Sequence, residues 1–159
     1  ISPFSPERAG GLPPLPLIEL CYSGKYEKPV LLKRLYGQGG VFAYLGTKDM
    51  RRVEAMVDAG DARAALVYDA MLYQIGKAIG AMAAVLDFRP HGIVLTGGMA
   101  HSKRIAGAIT ERCKALAPIH VYAGSDESRA LAEGAARVLA GAEAARTWPV
   151  APVTEPMPW

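Results

Sequence analysis

Two glycines and two carboxylates stand where this sequence could bind a phosphorylated ligand. Gly97 and Gly98 follow a short apolar run. Because glycine has no Cβ, a flat base or a sugar could approach the backbone there closely. Asp126 and Glu127 fall in the first turn of a predicted helix, where the helix dipole favours the ionised carboxyl group. An ionised carboxylate beside a phosphate group is a natural ligand of magnesium, often through water.

Each of these features also has an ordinary structural explanation. A Gly-Gly pair after a strand is a common turn, and an acidic pair often begins a helix without any further role. Gly24-Lys25 looks like part of a phosphate-binding loop, but Glu19 stands where that motif needs its first glycine and Tyr26 replaces the required Ser or Thr. The spacing of the three histidines does not suit a metal site. They are His91, His101 and His120.

The surrounding pattern predicts that the glycines and the carboxylates lie at one edge of a parallel sheet. Gly92–Thr96 and Ile119–Tyr122 are short apolar runs typical of buried strands. Each is followed by a predicted helix, Ser102–Leu116 and Asp126–Leu139. A strand–helix–strand unit joins parallel strands, and ligands bind at the carboxyl ends of such strands. We therefore expect the loops that follow the two strands to face the same crevice.

The rest of the chain is predicted to be mainly helical. Asp61 is a good N-cap for a long helix that reaches Leu86, and its many small and apolar residues predict close packing on several faces. Residues 1–16 are predicted to be a loop and residues 146–159 a proline-rich extended tail. The remaining predicted elements are helices Pro16–Tyr22 and Pro29–Tyr36, a strand Val41–Leu45, and a helix from Thr47 to about Gly60.

The composition of the 159-residue chain is that of a folded protein. Hydrophobic residues make up 51%, which allows a core. The net charge is only +3 and the basic residues are scattered, which argues against nucleic acid and membrane surfaces as partners. Asp69 and Lys77 interrupt the longest apolar stretch, Ala64–Leu86, so we do not expect it to cross a membrane. Cys21 and Cys113 lie far apart, which favours a reducing, cytoplasmic location over a disulfide framework.

Several segments resemble, in order, the acetate and butyrate kinases of the acetokinase family, within the acetate kinase, sugar kinase and actin superfamily. The sequence VLTGGMAHS at 94–102 is similar to the adenosine loop of that family. YQIGKAIGAMAAVL at 73–86 resembles the helix before that loop, and PFSPERAGGLP at 3–13 resembles the loop that carries the family's active-site arginine. The segments CYSGKY, YLGTKDMR and DES also match in order. The resemblance extends through about Ala145.

This resemblance implies roles for individual residues. Arg8 is similar to the arginine that contacts the phosphoryl group in transfer, and Glu127 is similar to the acidic residue near magnesium. The implied nucleotide-binding residues are Asp49, Met50 and Arg51, which would flank the adenosine, and Gly97, Gly98, Met99 and Ser102 in the adenosine loop.

The sequence departs from the acetate kinases within the adenosine loop. Those enzymes usually carry Gly-Glu-Asn where this chain has Ala100, His101 and Ser102. The departure favours the butyrate branch of the family and leaves the exact contact of Ser102 open.

The resemblance implies an α/β fold, one half of the actin-like, ribonuclease H-like architecture with a central sheet flanked by helices. Residues 17–145 would form the C-terminal nucleotide-binding domain, and residues 1–16 a loop at the domain junction. The implied reaction is reversible phosphoryl transfer from ATP, with Mg²⁺, to butyrate, which gives butyryl phosphate and ADP. The alternatives are an acetate or propionate kinase, or a non-catalytic domain that binds nucleotide or dimerises.

The resemblance also sets expectations about completeness and partners. The chain begins at Ile1 within a loop-like run and without a signal peptide, so we expect it to be a piece of a longer protein or a mature product. The family's other phosphate loops and its acyl pocket would lie upstream, and the chain alone is expected to show no turnover. The implied partners are a nucleotide, a short-chain carboxylate and a second copy of the C-terminal domain, forming a homodimer.

Overall fold

The structure is a computed structural model that describes residues 2–124 and 126–146. Its contacts divide the chain after Gly124 into two compact units. The first unit holds six α-helices and two strands among the described residues, and the second unit holds one helix. In chain order the elements are α1 (Pro14–Tyr22), α2 (Lys28–Leu35), α3 (Gly40–Leu45), α4 (Met50–Asp58), α5 (Ala62–Val85), β1 (Ile93–Gly97), a 3₁₀ turn (Gly98–His101), α6 (Lys103–Cys113), β2 (Ile119–Ala123) and α7 (Glu127–Leu139).

The predicted parallel strand pair is confirmed. β1 and β2 run parallel, with Ile93 opposite Ile119 and Gly97 opposite Ala123. At the carboxyl end the pairing continues between two glycines, since Gly97 N donates to Gly124 O at 3.0 Å and Gly124 N donates to Gly97 O at 3.2 Å. The loops that follow both strands therefore begin side by side, as the topology predicted.

Helix α5 is the scaffold of the first unit. Asp61 caps it as predicted, because its Oδ1 accepts hydrogen bonds from the backbone N–H groups of Arg63 at 2.9 Å and Ala64 at 3.0 Å. The helix packs against α3, α4 and α6. The buried side chains that form this core are Val41, Val53, Val67, Tyr68, Met71, Leu72, Ile105, Ile109 and Cys113.

The predicted strand at Val41–Leu45 is wrong, because this segment belongs to helix α3. A strand would need a neighbouring strand for its backbone hydrogen bonds. The backbone N–H groups of Val41 and Phe42 instead donate to Ser5 O at 3.0 Å and Pro6 O at 2.9 Å. The carbonyls of the N-terminal loop thus satisfy the free N–H groups that begin a helix. Short apolar runs do not distinguish a strand from a buried helix turn.

The N-terminal loop is held firmly against α2 and α3. The prediction of a loop is confirmed for residues 2–13, and α1 begins at Pro14, two residues before the predicted start. Gly37 N and Gly39 N both donate to Glu7 O, at 2.8 and 3.0 Å. Gly40 has a φ of +57°, and a Cβ there would overlap the carbonyl oxygen of Ser5. Only glycine therefore allows the loop to approach this closely.

The second unit contains α7, which begins at Glu127 as the acidic pair predicted. Asp126 occupies the N-cap position, although its side chain makes no capping hydrogen bond. Within the helix, Arg129 Nε lies 2.7 Å from Glu133 Oε1, one turn further along. The predicted tail lies outside the described residues from position 147 onward.

Cys21 is exposed and Cys113 is buried, and both are free thiols. Within the described ranges, no helix combines the length and the apolar character that a membrane span requires.

Candidate functional site

A cavity of about 860 Å³ lies between the start of α4 and the segment from the 3₁₀ turn to α6. It brings together two stretches that are about fifty residues apart in the sequence and that the family resemblance assigned to the adenosine. Six of the predicted site residues line it: Asp49, Met50, Arg51, Gly98, Met99 and Ser102. The other residues around it are Pro6, Lys48, Glu54, His101, Lys103, Arg104 and Ile105.

Asp49 and Arg51 form one wall of the cavity and hold each other in place. Asp49 is the N-cap of α4, and its Oδ1 accepts from the backbone N–H of Arg51 at 3.0 Å. The Arg51 guanidinium returns to the same carboxylate in a two-pronged contact, Nε to Oδ1 at 3.0 Å and Nη2 to Oδ2 at 2.8 Å. Hydrogen bonding to Arg51 holds the pKa of Asp49 below its ordinary value. The pair presents a fixed, exposed guanidinium plane, a group that can stack on a flat ring.

The opposite wall is the 3₁₀ turn that follows β1. Gly97 adopts a φ of +85°, a left-handed conformation that favours glycine, and it is not among the residues that line the cavity. Gly98 does line the cavity, and a Cβ built on it would meet no atom within 4 Å. Gly97 therefore shapes the turn, whereas Gly98 leaves open space for a ligand.

Ser102 joins this wall to α4 and α5. Its Oγ accepts from Ile105 N at 3.1 Å and so caps α6, and it donates to Glu54 Oε1 at 2.6 Å. Glu54 Oε1 also accepts a hydrogen bond from the Tyr68 hydroxyl at 2.8 Å. Tyr68 is 2% exposed, and its burial, followed by its hydrogen bond to Glu54, raises the pKa of its hydroxyl. One carboxylate oxygen thus fixes the loop, the long helix and α4 together.

Sequence reasoning missed Glu54, Lys48 and the basic rim of the cavity. Glu54 lies four residues after Met50, on the same face of α4, and that spacing is the signal that could have identified it. Arg104 lies 2.6 Å from Asp58, with its guanidinium carbon 5.4 Å from the centre of the Tyr68 ring. The charged side chains that line the cavity are the cations Lys48, Arg51, Lys103 and Arg104 and the carboxylates Asp49 and Glu54. Lys48 and Arg104 are paired with Glu7 and Asp58, which do not line the cavity. The cations are the groups of this rim that could contact an anionic ligand.

Arg8 lies in a neighbouring cavity of about 630 Å³, formed by the N-terminal loop and Lys48. Its backbone is fixed, because Arg8 N donates to Ser5 Oγ at 3.1 Å and Arg8 O accepts from Ser5 N at 3.0 Å. Its side chain is exposed. The two cavities share Pro6 and Lys48. The structure therefore places Arg8 beside the larger cavity and does not place it among the residues that line that cavity.

Glu127, the predicted magnesium residue, is the first residue of α7 in the second unit. Carboxylate oxygen is a ligand that magnesium accepts together with substrate phosphates. The chemistry of this residue therefore fits the role. In residues 2–124 and 126–146, no group of three or more His, Cys, Asp or Glu side chains could hold a metal ion.

Comparisons with known proteins agree on one family. Residues 28–150 match the Acetokinase family. The chain is 50% identical over 143 residues to probable butyrate kinase 2 of Caldanaerobacter subterraneus subsp. tengcongensis. The matched region covers 90% of this chain and 40% of that protein. The chain therefore spans about two fifths of the length of this relative.

Two solved structures share the fold. An acetate kinase from Porphyromonas gingivalis superimposes with a TM-score of 0.74 at 20% identity, over 87% of this chain and 41% of that one. A propionate kinase from Francisella tularensis subsp. tularensis superimposes with a TM-score of 0.69 at 19% identity, over 79% of this chain and 38% of that one. These similarities confirm the predicted α/β fold, one half of the actin-like architecture.

Proposed function

Since this chain belongs to the acetokinase family, we propose that it forms the nucleotide-binding half of a butyrate kinase. The proposed reaction is reversible. A carboxylate oxygen of butyrate attacks the γ-phosphorus of ATP, the bond from that phosphorus to the bridging oxygen breaks, and butyryl phosphate and ADP result. The observation that carries the proposal is the cavity of about 860 Å³, which gathers both sequence segments expected to contact adenosine.

The adenosine would occupy the space between α4 and the 3₁₀ turn. Gly98 leaves its side open for a base or ribose to approach the backbone. Met99 offers an apolar, polarisable contact on the same wall. The guanidinium plane of Arg51, fixed by Asp49, would lie against the adenosine from the α4 side. The Ser102 hydroxyl donates a hydrogen bond to Glu54, so it would act toward the nucleotide as a hydrogen-bond acceptor.

Arg8 would be the catalytic residue of this half. Phosphoryl transfer depends mainly on positioning and on neutralising charge. A planar guanidinium can contact two of the equatorial phosphoryl oxygens at once. The backbone hydrogen bonds of the N-terminal loop keep Arg8 in place before the substrate arrives. Magnesium would neutralise charge on the departing ADP, and Glu127 would help to hold it, together with phosphate oxygens and water.

Butyrate is the proposed acceptor for two reasons. The relative that is 50% identical is a probable butyrate kinase, whereas the acetate and propionate kinases of similar fold are about 20% identical. In addition, Ala100, His101 and Ser102 replace the Gly-Glu-Asn usual in acetate kinases. The acyl pocket, the homodimer and a cytoplasmic location belong to the same proposal for the full-length protein.

The proposal is tested by the acceptor specificity of the full-length protein. With ATP and magnesium, kcat/KM should be highest for butyrate, lower for propionate and lowest for acetate. A preference for acetate or propionate would assign the protein to another carboxylate kinase. Nucleotide binding without phosphoryl transfer to any of the three would instead favour a non-catalytic binding or dimerisation domain.

A further inference from the structure

Lys48 stands at the boundary between the two cavities described above. It lines the larger cavity, where the adenosine-loop residues lie, and it also lines the smaller cavity that contains Arg8. The other residue shared by both cavities is Pro6, which carries no charge. Lys48 is therefore the charged residue that both cavities share.

The present partner of Lys48 is Glu7, the residue before Arg8. Lys48 Nζ lies 2.5 Å from Glu7 Oε2, and the two side chains are 61% and 41% exposed. Hydrogen bonding to Lys48 and its charge hold the pKa of Glu7 below its ordinary value. Exposed ion pairs contribute little to stability, and a lysine side chain is long and flexible. This contact can therefore break at small cost when a stronger anion is near.

We propose that Lys48 binds the phosphate chain of the nucleotide and releases Glu7 when the nucleotide enters. The inference rests on the proposed function, because it requires the adenosine in the larger cavity and the transferred phosphoryl group at Arg8. A nucleotide placed in this way must cross the boundary made by Pro6 and Lys48, and the part that crosses is its chain of phosphates. An ammonium group is a natural partner for those oxygens.

The test compares ADP with adenosine, because the two ligands differ only in the phosphates. In the full-length protein, Lys48→Ala should raise the Kd for ADP about tenfold and leave the Kd for adenosine unchanged. Glu7→Gln should lower the Kd for ADP a few-fold, because it removes the negative charge that competes for Lys48. Isothermal titration calorimetry measures both ligands on each variant.

Lys114→Ala is the matched control. Lys114 forms an equally short exposed ion pair, 2.5 Å from Glu111, with a side chain that is 60% exposed, and it lines neither cavity. The Lys114→Ala protein should bind ADP and adenosine with the affinities of the parent protein. An equal loss of affinity for ADP and adenosine in Lys48→Ala would mean that Lys48 shapes the cavity. Unchanged affinity for both ligands would mean that Lys48 is an ordinary surface lysine. Both results overturn the assignment, as would unchanged or weaker ADP binding in Glu7→Gln.

The same titrations separate this inference from the proposed function. If the parent protein binds both ligands and Lys48→Ala does not discriminate between them, only the role of Lys48 is wrong. If the parent protein binds neither ADP nor adenosine, the proposed nucleotide site is wrong, and the role of Lys48 is wrong with it.

Discussion

Glu54 and Ser102 lie 48 residues apart in the sequence, and the Ser102 hydroxyl donates a hydrogen bond of 2.6 Å to Glu54 Oε1. That oxygen also accepts from the buried Tyr68 hydroxyl at 2.8 Å. The contact fixes the N-cap of α6 to α4, so the two walls of the candidate nucleotide cavity are held at a set separation. The shape of the cavity therefore depends on a carboxylate that the sequence analysis did not identify.

Replacement of Glu54 should weaken both the fold and the cavity. In Glu54→Ala the Tyr68 hydroxyl stays buried without its acceptor, and a buried unsatisfied group costs about 1–3 kcal/mol. We expect a fall of that size in the free energy of unfolding, measured by denaturant titration, and weaker ADP binding. Glu111→Ala is the control, since it removes an exposed carboxylate paired with Lys114 and should cost less than about 1 kcal/mol. Equal losses in the two variants would contradict the bridging role of Glu54.

Ser102 should contribute to stability as a helix cap, separately from any contact with nucleotide. Its Oγ accepts from Ile105 N at the start of α6. Loss of a serine cap to alanine costs about 1 kcal/mol. Thermal unfolding of Ser102→Ala should show this loss, and Ser102→Thr, which keeps the hydroxyl, should recover most of it. If Ser102→Ala unfolds like the parent protein, the capping contact does not stabilise α6.

The pairing of Asp49 with Arg51 predicts a dependence of stability on pH. The pKa of Asp49 is lowered in the folded state. The paired carboxylate therefore stabilises the fold at pH values above the pKa of Asp in the unfolded chain, which is about 4. This contribution is lost as the pH falls through the lower, folded pKa. Asp49→Asn keeps a capping side chain and removes the charge. It should be slightly less stable than the parent protein at pH 7, and the difference should shrink in acid. A difference that stays constant from pH 7 to pH 2 would contradict the ion pairing.

Arg8 should act mainly in the transition state. In the full-length enzyme, Arg8→Ala should lower kcat by about 10³-fold and leave KM for ATP nearly unchanged. Arg8→Lys should restore only part of the loss, since an ammonium group cannot make the two-pronged contact. Arg63→Ala is the control, because Arg63 is exposed on α5 and lines neither cavity. If both Arg8 variants keep kcat within a few-fold of the parent value, the catalytic cation lies elsewhere.

The parts of the fold that the sequence predicted correctly carry local signals. Asp61, a favourable N-cap residue, predicted the start of the long helix α5. The alternation of apolar runs with helical patterns predicted the parallel strands. The segment Val41–Leu45 was predicted wrongly, because the carbonyls that make it a helix belong to the distant loop at Ser5 and Pro6.

The same distinction applies to the candidate site. Its glycine turn and its Asp-Met-Arg segment are local motifs, and the structure gathers them around one cavity. Glu54 and Lys48 are single charged residues whose partners, Ser102 and Glu7, are 48 and 41 positions away. The helical spacing from Met50 could have placed Glu54 on the same face of α4. No local pattern, however, encodes the contact of Glu54 with Ser102 or that of Lys48 with Glu7, so these contacts are seen only in the folded structure.

The most direct test of a nucleotide site in the larger cavity is the affinity for ADP after Gly98→Val, measured by calorimetry in the full-length protein. A branched side chain would fill the open space beside Gly98, so we predict at least a tenfold rise in Kd with little change in melting temperature. Gly107→Val is the matched control, because a Cβ at Gly107 also meets no atom within 4 Å and Gly107 does not line the cavity. It should bind ADP as the parent protein does. Unchanged ADP affinity in a folded Gly98→Val protein would contradict the assignment of this cavity to the nucleotide.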